Sequence, residues 1–287
     1  MNIIKYRYLY FVISLVFLIP GIFSLLRYGL KPAIDFVGGS LIEVRLPENQ
    51  SLNYGQVAEL VDSDFGLNAV QQSGSGQFMI KAKEIDENQK NNLIAQLQSQ
   101  YGEVEVLRFE SVGPSISREL LSKTLTAVGL VSIIIAIYVW RQFKDIKFGV
   151  TAVLAMFHDS LILLGSFSLL GHFYGVEVDI LFVTAMLTTL SFSVHDTIVV
   201  YDRIRELKRK YPRVEFENLA NTAVLETLSR SINNSVTIIV MLSALVLLGG
   251  NTIRWFSTAL LIGAITGTYS SSFTAVPLLV EWNKRFK

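Results

Sequence analysis

A few ionisable side chains lie inside otherwise apolar stretches of this sequence. The pairs His158-Asp159 and His195-Asp196 each interrupt a hydrophobic run, and Arg230 stands at the start of another. Ionisable groups cost roughly 2.5–3.5 kcal/mol each to insert into a membrane, so they are candidates for function. Burial disfavours a charged carboxylate and a nearby guanidinium favours it, so a carboxylate balanced between the two can load and release a proton. Arginine itself stays charged and would act as a gate.

Helical spacing adds polar neighbours to these groups, because residues three and four apart share a helix face. If the two helices are antiparallel neighbours, Asp196 and Arg230 lie at a similar depth. This arrangement fits a proton relay between them as well as it fits a fixed ion pair that locks the helices, and a substrate or ion site is a further alternative. The supporting polar residues are His195, Thr197, Asn233, Asn234, His158 and Asp159, of which the pair His158-Asp159 favours a structural role.

Six apolar runs are each long enough to cross a membrane, which takes about 20 residues. We number them spans 1 to 6, and they cover residues 9–26, 121–140, 148–170, 180–201, 232–248 and 256–280. The first run is long and lacks a cleavage site, so it is a retained helix rather than a signal peptide. Of the 287 residues, 51% are hydrophobic and only 17% are charged, which is typical of an α-helical integral membrane protein.

The composition also excludes several kinds of site. A net charge of +1 gives no basic surface for nucleic acid, and the absence of cysteine excludes disulfides and thiolate ligands. Three histidines leave little material for a metal site, so we expect no metal and no cofactor.

Lysine and arginine are concentrated before span 1, between spans 2 and 3, after span 4 and at the end of the chain. Such connections stay in the cytoplasm, so both termini are predicted to be cytoplasmic. Lys144 and Lys287 are among these basic residues.

Three regions follow from the spans: residues 1–29 with span 1, an extracytoplasmic domain of residues 30–120, and a five-span region of residues 121–287. In the domain, hydrophobic periodicity predicts strands at 40–46, 67–72, 77–83 and 104–109 and helices at 53–65 and 87–101. The order β-α-β-β-α-β is that of a ferredoxin-like α+β domain. No cluster in it indicates catalysis, so a docking module is the better interpretation.

An amphipathic segment near residues 214–228 precedes span 5 on the cytoplasmic side. Its apolar residues recur at helical spacing, which suits a helix lying along the membrane surface. An ordinary connector packed on the cytoplasmic loops is the alternative.

Small residues recur at steps of four along span 6, namely Ala259, Gly263, Gly267, Ser271 and Ala275. Such a seam lets two helices approach closely, so we interpret it as a packing surface.

A short motif follows span 1 and contains Asp35, Phe36, Gly38 and Gly39. Two adjacent glycines between a helix end and a strand predict a tight turn with positive φ, a structural signal with little functional content.

Taken together, these motifs resemble the SecF family, the smaller membrane subunits of the SecDF protein-export factors, over essentially the whole chain. The family's G-I-D-F-x-G-G element corresponds to residues 33–39, with Ala33 in place of the first glycine. The other matching elements are Val112-Gly113-Pro114, His158-Asp159, residues 196–206, residues 228–233 and residues 267–271.

The resemblance implies a six-span half of an RND-type transporter in a bacterial or archaeal plasma membrane. It implies a SecD-like partner subunit, the SecYEG channel, a translocating preprotein and surrounding lipid as partners, and no enzymatic activity. In that family the proton-motive force assists translocation, and the residues tied to proton conduction map onto Asp196 and Arg230. The family usually has asparagine where this chain has His195, which adds a titratable group beside the key carboxylate.

Two other functions stay open at this point. One is a small RND-like exporter of lipid or solute that associates with itself, and the other is a membrane scaffold without ion flow. A SecD-like reading frame beside the gene would favour the SecF-type subunit, and a substrate-sized outer cleft would favour the exporter.

Overall fold

The protein is described by a computed structural model that covers residues 2–47, 50–61, 65–143 and 145–285. Lys144 and Lys287, which belong to the predicted basic clusters, lie outside these described residues, as do residues 62–64 of the predicted helix 53–65. The chain forms two compact units, one of Met1–Lys31 with Thr126–Lys287 and one of Pro32–Leu125. We call them the membrane unit and the small unit.

Among the described residues, six helices are long and apolar enough to cross a membrane, so the predicted six-span helical fold is confirmed. In chain order, spans 1 to 6 are Ile4–Tyr28, Pro114–Phe143, Ile146–Tyr174, Ile180–Lys210, Phe216–Leu248 and Ile253–Arg285. At least half of the apolar stretch is buried in spans 3, 4 and 6, whereas spans 1, 2 and 5 leave most of theirs uncovered by this chain. Spans 3, 4 and 6 therefore form the centre of the membrane unit.

Span 5 corrects one prediction, because it is a single helix from Phe216 to Leu248 rather than a surface helix followed by a span. The sequence of this stretch contains no glycine or proline, so nothing interrupts the helix. Its amphipathic first part buries an apolar face in the core of the membrane unit. Glu217 near its start forms ion pairs with Arg7 at 3.3 Å and Lys284 at 2.5 Å. The start of span 1, the start of span 5 and the end of span 6 therefore meet at one end of the unit.

The small unit is an antiparallel sheet with helices, in the predicted element order β-α-β-β-α-β. Its strands are β1 (Gly39–Arg45), β2 (Leu67–Gly74), β3 (Gln77–Ala82) and β4 (Glu105–Val112), which lie side by side in the order β2-β3-β1-β4. The two main helices are Tyr54–Leu60 and Glu87–Tyr101, and a short helix, Ile34–Val37, precedes β1.

Each main helix of the small unit begins with a capping box. Asn53 and Asp86 accept hydrogen bonds from the backbone N–H groups of Gln56 and Gln89, whose side chains bond back to the cap residues. Alternate residues of β1 and β3 point into the core with Leu93 and Leu97, as the period of two predicts.

The glycine turn before β1 is as predicted, because Gly38 has φ of 80° and Gly39 has φ of 124°. A Cβ atom at Gly39 would lie 2.6 Å from the carbonyl oxygen of Ala82 on β3. Glycine is therefore required both by the backbone conformation and by the neighbouring strand. Phe36, in the short helix before the turn, is buried in the small unit.

Candidate functional site

The Asp196 carboxylate lies in the membrane unit on the wall of a cavity of about 480 Å³. Asp196 is 8% exposed, and its Oδ2 accepts a hydrogen bond from Ser231 Oγ of span 5 at 2.5 Å. The cavity lies between spans 4, 5 and 6, and its walls include His195, Arg230 and Asn234. The structure thus brings four of the predicted relay and supporting polar residues together around one cavity.

Asp196 and Arg230 line the same cavity but do not form an ion pair. Asp196 is 16 residues from the Ile180 end of span 4, and Arg230 is 18 residues from the Leu248 end of span 5. At 1.5 Å per residue these separations are about 24 Å and about 27 Å, so the two groups lie at similar depth in antiparallel helices. Within the described parts of the chain, no carboxylate lies within 4.0 Å of the Arg230 guanidinium. The fixed ion pair that was the structural alternative is therefore absent from this arrangement.

The supporting polar residues differ in how they are placed. His195, Arg230, Asn233 and Asn234 are exposed in the isolated chain, and Asn233 is not part of the cavity wall. Thr197 is buried and donates its hydroxyl proton to the backbone carbonyl of Ser193, one helical turn back, at 3.0 Å. The Thr197 hydroxyl is therefore satisfied within span 4, whereas His195 and Asn234 line the cavity in front of Asp196.

The pair His158-Asp159 forms a second buried polar cluster on span 3. His158 Nδ1 lies 2.8 Å from Asp159 Oδ1, and the two residues are 7% and 5% exposed. Asp159 Oδ2 accepts hydrogen bonds from Ser193 Oγ of span 4 and Ser270 Oγ of span 6, both at 2.5 Å. The predicted pair is therefore not isolated, since its carboxylate joins three helices.

The small-residue seam of span 6 packs against span 4. A Cβ atom at Gly263 would lie 2.0 Å from Thr189 Cγ2, and one at Gly267 would lie 3.2 Å from the Cα of Ser193. Ser271, the next member of the seam, is buried and lines the Asp196 cavity. The seam thus brings the polar faces of spans 4 and 6 within reach of each other.

Tyr201 is a polar residue of this region that the sequence analysis did not single out. It is fully buried, its hydroxyl lies 2.7 Å from Thr151 Oγ1, and it donates to the carbonyl of Ala275 at 3.0 Å. Ala275 ends a π-helical turn, Ser271–Ala275, within span 6. A tyrosine near the end of an apolar run is typical of an interfacial anchor, so this contact could not be predicted from the sequence.

A close crossing of spans 1 and 3 was also missed. A Cβ atom at Gly165 would lie 2.5 Å from the Cα of Gly21, and Ser24 and Ser168 share a hydrogen bond of 2.7 Å beside it. The signal that could have revealed it is the set of small residues on one face of span 1, which are Ser14, Gly21 and Ser24.

Comparison with known proteins gives consistent relatives. A family model described as "Protein export membrane protein SecD/SecF, C-terminal" matches residues 92–285. The chain is 40% identical over 301 residues to the protein translocase subunit SecF of Thermobaculum terrenum, covering 99% of this chain and 95% of that protein. It is 39% identical over 290 residues to the subunit of the same name from Anaerolinea thermophila, covering 98% and 94%.

The fold is also similar to a solved structure. The crystal structure of SecDF from Thermus thermophilus, described as a translocon-associated membrane protein, matches with a TM-score of 0.87 and 30% identity. The match covers 99% of this chain and 39% of that chain, so the present chain spans about two fifths of the solved protein.

Proposed function

The chain belongs to the SecD/SecF family of protein-export membrane proteins, and from that membership we propose that it is a SecF-type subunit driven by the proton-motive force. In this proposal it assists Sec-dependent translocation of preproteins through the SecYEG channel. It acts without a cofactor and is not an enzyme. It lies in the plasma membrane with both termini in the cytoplasm, as the distribution of lysine and arginine supports.

The observation that carries the proposal is the buried Asp196 carboxylate, which faces a cavity that is also lined by Arg230, a cation with no carboxylate partner among the described residues. A carboxylate this deep in a span is costly to insert into the membrane, so it is a candidate for function. Because the cavity separates it from the guanidinium, Asp196 can be protonated while Arg230 is distant and lose the proton when Arg230 approaches. Moving one charge across the membrane yields about 2.3 kcal/mol per 100 mV, which is energy available for each cycle.

A SecD-like partner is proposed for a physical reason as well as from the relatives. Arg230 and Asn233 are exposed in the isolated chain although they lie within a spanning helix, where a charged side chain facing lipid is unfavourable. A second subunit that covers spans 4 and 5 would remove this cost. The solved SecDF chain extends well beyond the part that this chain matches, and we propose that a separate SecD-like subunit takes that place.

The relay is tested by four variants of the full-length chain assembled with its partners. Asp196→Asn keeps the size and hydrogen bonding of the side chain but cannot titrate, so it should leave the complex assembled and abolish uncoupler-sensitive export. Arg230→Lys keeps the charge but loses the planar guanidinium, and export should be impaired. His195→Asn should retain export. Asp202→Asn is the matched control, since Asp202 lies on the same helix, is exposed and, among the described residues, forms its ion pair with Arg205.

Export of a secretory reporter is measured with and without an uncoupler, after the protein levels have been matched. A structural role for the two charges predicts that the double variant Asp196→Asn/Arg230→Gln works, because no lone charge stays buried. Uncoupler-sensitive export by that double variant would refute the relay. Co-purification from native membranes checks the partner, and recovery of the chain with copies of itself alone would favour an exporter instead.

A further inference from the structure

The Asp159 cluster is separate from the Asp196 cavity, yet it is built on two of the same helices. Asp159 holds Ser193 of span 4 and Ser270 of span 6 through one carboxylate oxygen, at 2.5 Å each. Of the described residues, the ones lining the Asp196 cavity do not include Asp159 or either of these serines. Asp159 and the two serines therefore do not reach Asp196 or Arg230 through the cavity.

The two serines are nevertheless immediate neighbours of the cavity wall. Ser193 precedes Asp196 by three residues on span 4, so the two lie within one helical turn. Ser270 is followed directly by Ser271 and Ser272, which line the cavity at the start of the π-helical turn. Fixing Ser193 and Ser270 to one carboxylate therefore fixes the two helix segments that carry Asp196 and the opposite wall.

The close packing of spans 4 and 6 makes this double contact possible. The backbones of spans 4 and 6 approach closely at Gly267. A Cβ atom added to Gly267 would lie only 3.2 Å from the Cα atom of Ser193. The other oxygen of Asp159 is occupied by His158 Nδ1. Among the described residues, the opposite ring nitrogen of His158, Nε2, is buried and has no hydrogen-bond partner. The histidine is thus held from the carboxylate side alone, and Asp159 is the centre of the cluster.

We propose that Asp159 is a positioning residue for the proton relay, acting through Ser193 and Ser270 to set the place of Asp196 against the wall of its cavity. This inference rests on the proposed function of Asp196. Among the described residues, His195 is the titratable group and Arg230 the permanently charged group on the cavity wall with Asp196, and His158 is the titratable group in contact with Asp159. Asp159 itself takes no part in proton transfer in this proposal, because its contacts are satisfied by donors from three helices.

The test uses the assembled complex in membrane vesicles and measures uncoupler-sensitive export at a series of pH values. The double variant Ser193→Ala/Ser270→Ala removes both hydroxyl donors and leaves the carboxylate in place. It removes two hydrogen bonds to a charged group, each of which accounts for a factor on the order of ten, so it should lower the rate by a factor on the order of one hundred. It should also move the pH of half-maximal export, because the surroundings of Asp196 change. Ser257→Ala is the matched control, since Ser257 is a buried serine of span 6 whose Oγ bonds to no described residue.

Asp159→Asn is measured in parallel and should show the same direction of change. If that variant does not accumulate, the serine variants decide. A double serine variant that exports less only in proportion to its protein level, at an unchanged pH midpoint, would show a purely structural cluster and overturn the inference. The proposed function fails separately: export by Asp196→Asn that remains uncoupler-sensitive would refute the relay, whereas its loss beside unaffected serine variants refutes only the role of Asp159.

Discussion

Replacing Gly165 by alanine should destabilise the crossing of spans 1 and 3 far more than the same change at Gly21. A Cβ atom at Gly165 would lie 2.5 Å from Gly21 Cα, whereas one at Gly21 would lie 3.2 Å from Gly165 Cα. Ordinary contacts begin at 3.4 Å, so the helices must separate by about 0.9 Å in the first case and about 0.2 Å in the second. The two variants add the same methyl group to the same interface and differ only in the room for it.

The separation has a second consequence at the neighbouring hydrogen bond. A widening of about 0.9 Å would take the Ser24–Ser168 oxygen distance from 2.7 Å to about 3.6 Å, where no hydrogen bond remains. Overpacking costs about 1–3 kcal/mol and the lost hydrogen bond about 0.5–1.5 kcal/mol. Alanine gains about 1 kcal/mol of helix propensity over glycine at either position. We therefore expect Gly165→Ala to lower the free energy of unfolding by about 1–3 kcal/mol. Gly21→Ala should cost under about 1 kcal/mol, because alanine favours the helix.

Thermal unfolding of the detergent-solubilised chain measures both values. Gly129→Ala in span 2 is the control, because nothing lies within 4 Å of its added Cβ atom. The chain has no native cysteine, so the rate of disulfide formation between Ser24→Cys and Ser168→Cys reports the separation directly. Equal stability of the Gly165 and Gly21 variants would mean that the two helices do not cross at this distance.

Three further predictions concern other parts of the membrane unit and its topology. Gly267→Leu should lower the yield of folded protein sharply and Gly267→Ala only slightly, because the larger side chain forces spans 4 and 6 apart; wild-type yield of the leucine variant would contradict the seam. Tyr201→Phe should lower the free energy of unfolding by about 1–3 kcal/mol, while Tyr138→Phe, at an exposed position, should have no effect in the same thermal assay. Single cysteines at Ser75 and Lys208 should react with a membrane-impermeant reagent from opposite sides, and labelling of both from one side would refute the predicted orientation.

The spans and the element order of the small unit were predictable because each depends on a pattern within one segment. Twenty apolar residues define a span wherever it packs, and the alternation in 40–46 defines the strand. The amphipathic pattern near 214–228 is the same whether the apolar face meets lipid or another helix, so the sequence did not distinguish a surface helix from the start of span 5. The absence of glycine and proline from Phe216–Leu248 was the better indication, because nothing in that stretch interrupts a helix.

The sequence predicted which polar residues lie near Asp196, but it did not predict which of them contacts its carboxylate. Spacing placed Asp196 and Arg230 on facing polar stripes at similar depth, and both line one cavity. Which side chain reaches the carboxylate depends on the separation of the helices and on rotamers, and in the structure it is Ser231 rather than Arg230. The Asp159 cluster needs three helices to meet at one point, and no single segment carries that information.

Span 6 links the two carboxylates in a way that constrains how the proposed relay can move. Ser270 bonds to Asp159, while the next two residues, Ser271 and Ser272, line the cavity of Asp196. The contacts of span 6 pass from Asp159 to the cavity where the helix enters a π-helical turn, a feature that occurs frequently at functional sites. A rotation or shift of span 6 relative to span 3 that changes the cavity also strains the bond from Ser270 to Asp159. A cycle that opens and closes the cavity by moving span 6 would therefore be resisted at Asp159, whereas a movement of span 5, which carries Arg230, leaves that bond intact.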